Sequence, residues 1–240
     1  MKNLLLILGL ICQVALFSQP TIKSSPRHLE VGFIFGVTNY SGDIAQKHIH
    51  ISETNLGYGA FARYFFSNKF SVKAHLYSGT ISGDDANSKD PIIQRRSFRF
   101  GTNLTEIGLS GEWHPLGKDR FSSTGMHRSF LSPYLYLGVG ATFSSAKVEY
   151  YGKPEDRSVF VTTPFPEVGP NQRFLIAPMG AGVRVELNES LVLGAEIGWR
   201  PVFSDDLDGV RLNGNPEKND WYYFGGATIA FIFGGSKTPL

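Results

Sequence analysis

"LVLGAEIGWRP", Leu191 to Pro201, alternates without a break. Leu191, Leu193, Ala195, Ile197 and Trp199 are apolar, and between them stand Val192, Gly194, Glu196, Gly198 and Arg200. Successive side chains of a strand point to opposite faces, so one face here is greasy and the other carries a carboxylate and a guanidinium. A soluble sandwich would turn the greasy face inward and the charges to water. A membrane barrel would do the reverse.

The pattern recurs along the chain. Leu29 to Val37, Asn55 to Phe66, Lys69 to Thr80, Phe100 to Trp113, Pro133 to Phe143, Phe174 to Leu187 and Trp221 to Phe233 alternate likewise, and the opening stretch, extended to Phe203, is the seventh of eight. Ser67-Asn68 and Asn188-Glu189-Ser190 are of hairpin length, whereas the links after the first, third, fifth and seventh segments are long and polar. An even strand count, with short periplasmic turns and long outer loops, predicts an all-β fold: an eight-stranded antiparallel up-and-down transmembrane β-barrel. One link breaks the rule. His114 to Ser132 belongs to the short-turn end yet is long, and long turns of this kind are functional or disordered more often than idle.

Two features orient the wall. Aromatics of the apolar face gather at strand ends: Tyr64, Phe66, Phe70, Trp113, Phe231 and Phe233 toward the short turns, and Phe143, Trp199, Phe203, Trp221 and Tyr223 toward the long loops. Two belts are what two lipid–water interfaces demand. The polar face carries Glu30, Glu106, Glu112, Glu186 and Glu196 against Arg63, Lys73, Arg184 and Arg200. One Arg facing lipid would cost about 2–4 kcal/mol at the midplane, so these charges point inward. Eight strands leave a lumen only wide enough for side chains to fill, with the interleaved glycines making room. The reading is a filled, ion-paired polar lumen with Glu196 and Arg200 as partners, not a pore.

The chain has 240 residues, 18% of them charged and 13% aromatic, with 27 Gly, 19 Phe and 10 Tyr, an all-β profile. Lys2 followed by the apolar run Leu4 to Phe17 and then Ser18 reads as a secretory signal peptide over residues 1–18, ahead of one barrel domain over 19–240. Cys12, the only cysteine, falls inside that run, which excludes a disulfide within the mature chain. Without Lys2 the chain holds 22 basic and 21 acidic residues, which argues against a nucleic-acid partner. The partners expected from the wall are outer-membrane lipids and lipopolysaccharide.

No constellation with catalytic spacing emerges, and no cofactor is expected. His127 and Ser129 have a spacing similar to the His and Ser of a lipid A deacylase barrel, but they fall in the turn at the periplasmic end. His48 and His50 lack further metal ligands nearby. Asp84, Asp85 and Asp90, like Asp205, Asp206 and Asp208, do not match the ligand spacing of an EF-hand. The remaining candidate is the long turn itself. Phe121, Met126 and Phe130 stand among Lys118, Arg120, His127 and Arg128, and apolar residues ringed by charge suit a protein-docking surface. The alternative is that Phe121 and Phe130 fold back over the barrel mouth.

With these segments placed, the chain resembles the PorG-like outer-membrane barrels of Bacteroidota type IX secretion and gliding systems. The resemblance rests on "EVGFIFGVTNYSGDI" from Glu30, "GAFARYFFSNKFSVKAHLYSGTISGDD" from Gly59, "NLTEIGLSGEWHPL" from Asn103, "SPYLYLGVGATF" from Ser132 and "EIGWRPVFSDDLDGV" from Glu196. It implies a non-enzymatic envelope component beside a periplasmic secretion-ring lipoprotein, and it brings no catalytic residues. A small lipid-modifying enzyme and a free-standing structural or surface-binding barrel are the alternatives from other classes.

Overall fold

The computed structural model describes residues 27–41, 53–122, 126–161, 163–164, 171–204, 207 and 220–234. The expected leader with Cys12, His48 and His50, and Asp205, Asp206 and Asp208 lie outside them. The strands are β1 (His28–Ser41), β2 (Asn55–Phe65), β3 (Phe70–Asp84), β4 (Phe98–Trp113), β5 (Leu131–Tyr150), β6 (Gln172–Ile176), β7 (Met179–Glu186), β8 (Leu191–Pro201) and β9 (Trp221–Gly234). Each pairs antiparallel with its neighbour, and β9 pairs back onto β1 along its whole length, from His28 opposite Gly234 to Ser41 opposite Trp221.

The ring nevertheless has eight walls, because β6 and β7 are halves of one strand. Their register against β5 is the same on both sides of Ala177 and Pro178. Pro178 has no N–H to donate to the ladder, which interrupts the strand without shifting it. Its carbonyl still accepts from Gly138 N at 2.8 Å.

The registers also give the stagger. From Leu29 the rungs pass through Tyr64, Val72, Gly111, Leu137, Met179, Trp199 and Tyr223, and they return to β1 at Asn39, ten residues on. With ~3.3 Å per residue and ~4.8 Å between strands, that offset tilts the strands by about 40°. The interior is then filled by side chains alone.

The two faces of the wall differ as the alternation requires. Leu56 is 82% exposed and Val139 70%, whereas Ile34 and Arg200 on the opposite face are 0% exposed. β5 runs past its expected end at Phe143 to Tyr150. Inward residues continue the alternation, with Val148 packing beside Phe98 and Phe100, but the outward face turns to Ser145, Lys147 and Glu149. An apolar-outward signal stops there because that part of the strand stands outside the apolar band. The long loops of this side carry a short 3-10 turn (Asp85–Asn87) and two short helices, α1 (Pro91–Arg96) and α2 (Pro154–Phe160).

Candidate functional site

Strand alternation delivers the charged side chains to the lumen, and the stagger decides which of them meet. Arg63 on β2 donates from Nε to Glu112 on β4 at 2.6 Å and from Nη1 to Glu30 on β1 at 2.9 Å. Arg184 on β7 bonds Glu30 and, at 3.0 Å, Glu186. Lys73 on β3 donates to Glu196 on β8 at 2.6 Å and lies 3.5 Å from Glu112. Arg200 Nε stands 3.2 Å from Glu106 on β4. All nine side chains are at most 5% exposed.

Glu196 and Arg200 are therefore not partners. Both face the lumen, but four residues along a strand separate their α-carbons by about 13 Å. Each instead finds the charge that the tilt brings level with it from across the barrel, Lys73 for Glu196 and Glu106 for Arg200.

Inward tyrosines and histidines complete the network. Tyr134 donates to Glu196 at 2.7 Å, Tyr222 donates to Glu106 at 2.7 Å, and the Tyr136 hydroxyl accepts from Arg200 at 3.3 Å. The parity that sends Leu135 and Leu137 outward could have identified Tyr134 and Tyr136. The glycines house these rings: a Cβ at Gly182 would lie 2.3 Å from Tyr134, and one at Gly198 1.8 Å from the Tyr136 hydroxyl. His28, His75, His114 and His127 each lie within 3.5 Å of a lumen carboxylate.

The long turn supplies one further cation, Arg120, which carries no alternation signal. It is 2% exposed, donates from Nε to Glu186 at 2.8 Å and from Nη2 to the Glu189 carbonyl at 2.8 Å. With it the network holds five cations against five carboxylates. The turn crosses the mouth as a strap. Asn68 donates to Asp119 at 2.6 Å, and a Cβ on Gly117 would lie 1.7 Å from the Asn68 carbonyl oxygen, so only glycine permits that approach. Ser129 donates to the Glu186 carbonyl at 2.8 Å.

Of the three residues read as a docking surface, Met126 is 70% exposed, while Phe121 and Phe130 are half-buried. Phe121 meets the His127 ring edge-on at 6.1 Å, and the Arg120 guanidinium lies 5.4 Å over its face. Leu116, also on the strap, is 56% exposed. His114 at its base is buried among Phe65, Tyr134, Ser71 and Glu112, and burial lowers its pKa below the ordinary histidine value against the pull of Glu112.

The other candidates resolve as structural contacts. His127 and Ser129 both bind Glu186, one through the carboxylate and one through the carbonyl, rather than each other. His28, Glu30 and Glu186 offer ligand atoms within 4.8 Å, but the Arg184 guanidinium already bonds both carboxylates. Asp85 is clasped by Arg96 at 2.8 and 2.9 Å and by Phe98 N at 2.9 Å, and burial raises its pKa. Asp84 accepts from Arg99 and Tyr151, while Asp90 caps α1 through Ile92 N.

Above Glu106 and Arg200 the lumen is mostly apolar, with buried Asp220 accepting from Tyr40 and from Leu207 N and with Thr102 donating to the Leu207 carbonyl at 3.1 Å. Tyr40, Ile81, Phe98, Phe100, Leu104, Phe174, Ile176, Val202 and Tyr222 pack together beneath Leu207.

Comparison with solved structures finds other barrels. Ail, the attachment invasion locus protein of Yersinia pestis, in complex with the heparin analogue sucrose octasulfate, aligns over 87% of this chain and 99% of its own. Its identity is 12% and its TM-score 0.44. The N-terminal β-barrel domain of Pseudomonas aeruginosa OprF covers 87% and 98% at 14% identity and TM-score 0.43. Neisserial surface protein A covers 86% and 97% at 11% identity and TM-score 0.44. No curated protein matches the chain. One family does match, from residue 5 to residue 239, and the chain belongs to the family described as Domain of unknown function (DUF6089).

Proposed function

We propose that the chain is a non-enzymatic outer-membrane barrel of a protein secretion complex of the type IX, gliding-associated class, which docks to a periplasmic ring lipoprotein through its long turn. The membrane location is supported by the apolar outer wall and its two aromatic belts. The secretion class is supported by the sequence motifs of five segments. The observation that carries the docking role is the strap. Hairpin turns close the barrel elsewhere at this end, yet this link is long, is anchored by Arg120 and Ser129, and turns Met126 and Leu116 to solvent. The lumen behind it is filled by ion pairs, which leaves the two ends of the barrel for interaction. A lipid-modifying activity would need a free nucleophile and base, and His127 and Ser129 are each spent on Glu186.

The test is recovery of partners from solubilised envelopes with the double variant Leu116→Asp and Met126→Asp. Neither side chain is buried, so the barrel should keep its resistance to unfolding in detergent. A lipid-anchored periplasmic protein should be recovered with the parent chain and lost with the variant. Equal recovery with both rejects docking through the strap.

A further inference from the structure

The outward wall of β4, β5 and β6 changes character at one rung. Thr105, Phe143 and Arg173 stand side by side across these strands. Next to them on the short-turn side the outward residues are Ile107, Ala141 and Leu175, and on the long-loop side they are Asn103 and Ser145, then Gly101 and Lys147. That rung is the edge of the apolar band on this face, marked by Phe143 of the outer aromatic belt. A cation sits at the edge itself. Arg173 is exposed, with its guanidinium 5.7 Å from the Phe143 ring centre.

Lys147 is exposed beyond it, and among the described residues neither cation has a carboxylate within ion-pair distance. The carboxylate of this face, Glu149, stands farther from the band, directly opposite Arg99. Ser145 of β5 lies between the two cations, and Gly101, Asn103 and Thr105 flank it on β4, which makes a shelf of small or polar groups beside them. A Cβ on Gly101 would meet nothing within 4 Å, so the shelf is open to the side. Thr80 donates to the Asn103 side-chain oxygen Oδ1 at 3.0 Å, which leaves the Asn103 side-chain NH2 to donate outward.

The geometry points to this shelf as a binding surface for the phosphate-bearing headgroup of a lipid in the leaflet on the long-loop side, held by Arg173 and Lys147 while its acyl chains run down past Phe143 and Leu175. The occupant is a lipid rather than a soluble anion because the cations begin where the apolar wall stops. A ligand there has tails beside Ile107, Ala141 and Leu175 and charge beside Arg173. Hydroxyl and amide groups on the shelf suit a headgroup that carries further oxygens. The inference rests on the membrane reading of the wall.

The test uses the mature chain folded in detergent micelles with equal amounts of phosphatidylglycerol and phosphatidylcholine of the same chains, with retained lipids counted by native mass spectrometry. The parent barrel should favour phosphatidylglycerol, by about five-fold for each cation. Arg173→Gln and Lys147→Gln should each lower the preference by about that factor and the double variant should abolish it, while Arg157→Gln on α2 should not change it. Equal retention of the two lipids by the parent chain, or an unchanged preference in the double variant, rejects the site. Displacement of phosphatidylglycerol by an equal concentration of inorganic phosphate would reject a lipid as its occupant. A chain that does not enter micelles as a folded barrel would reject the membrane reading itself, and that outcome is distinct from all the others.

Discussion

The two halves of the lumen are built from the same strands by opposite means. Toward the short turns, Glu30, Arg63, Lys73, Glu112, Arg184, Glu186 and Glu196 form a chain of ion pairs, with apolar side chains such as Phe61 and Val192 packed beside it. Toward the long loops, Phe98, Phe100, Leu104 and Ile176 fill most of the same cross-section, and the buried carboxylate there, Asp220, accepts from Tyr40 and Leu207 N. A barrel of this width evidently does not need ion pairs to be full, and burying charge costs more than burying methyls. What the charges add is discrimination of register. A slip of one residue turns every face over in either half. A slip of two keeps every face and leaves an apolar core still filled, but it moves each carboxylate about 7 Å from its cation. The ion-paired half therefore holds the stagger of the ring, and the apolar half accepts whatever stagger results.

The largest expected effect tests that division. Arg63→Leu leaves Glu30 and Glu112 short of a shared cation and should destabilise the barrel by about 3–5 kcal/mol, measured by urea unfolding in lipid vesicles. A loss under about 1 kcal/mol would mean that water enters the network and that it does not hold the register.

The partner assignment is tested next. Lys73→Leu and Glu196→Leu together should cost less than the sum of the two alone, with a coupling of about 1–3 kcal/mol, whereas Glu196→Leu and Arg200→Leu should add to within about 0.5 kcal/mol. The reverse pattern would restore the pairing read from the sequence and overturn the observed stagger.

The smallest effect concerns the base of the strap. Burial lowers the pKa of His114, so below the ordinary histidine value of 6.5 the unfolded chain takes up a proton that the folded chain resists. Stability contributed by neutral His114 is present above that value and is lost as the pH falls through it. His114→Gln should flatten the decline between about pH 6.5 and 5, by no more than about 1.4 kcal/mol per pH unit. An unchanged slope would place the proton uptake on another group.

These contrasts also mark what was legible in the residues. The two faces of Leu191 to Pro201 could be read because side chains repeat every two positions and an outward Arg is costly in lipid. The break at Ala177 and Pro178 left no trace in the pattern because the register passes through it unchanged. The extension of β5 beyond Phe143 was hidden because its outward residues meet water. Partner identity could not be read, since the partner of Glu196 is 123 residues away and is chosen by the tilt. Arg120 was beyond any periodic argument, being a turn residue whose burial depends on the strap crossing to Glu186. The acidic loop around Asp84 and Asp85 shows in the sequence only that it does not match an EF-hand, yet Arg96 and Phe98 N draw Asp85 into a buried cluster.

The seam between β1 and β9 has a consequence for how the chain is made. Every other wall contact joins strands that follow one another, and each such hairpin can form as the chain emerges. β1 alone must wait for the last strand, holding the inward Glu30 that Arg184 will meet and an open row of N–H and C=O groups along its far side. At the seam Gly36 faces Gly226 so closely that a Cβ on Gly36 would lie 1.9 Å from the Gly225 carbonyl oxygen, which leaves no tolerance for a bulkier residue at the junction. Loop closure on that scale is slow, and an unpaired strand edge invites aggregation in the interval. The unfinished barrel is thus open to aggregation until its final strand arrives, and loss of β9 should produce an insoluble chain rather than a smaller barrel.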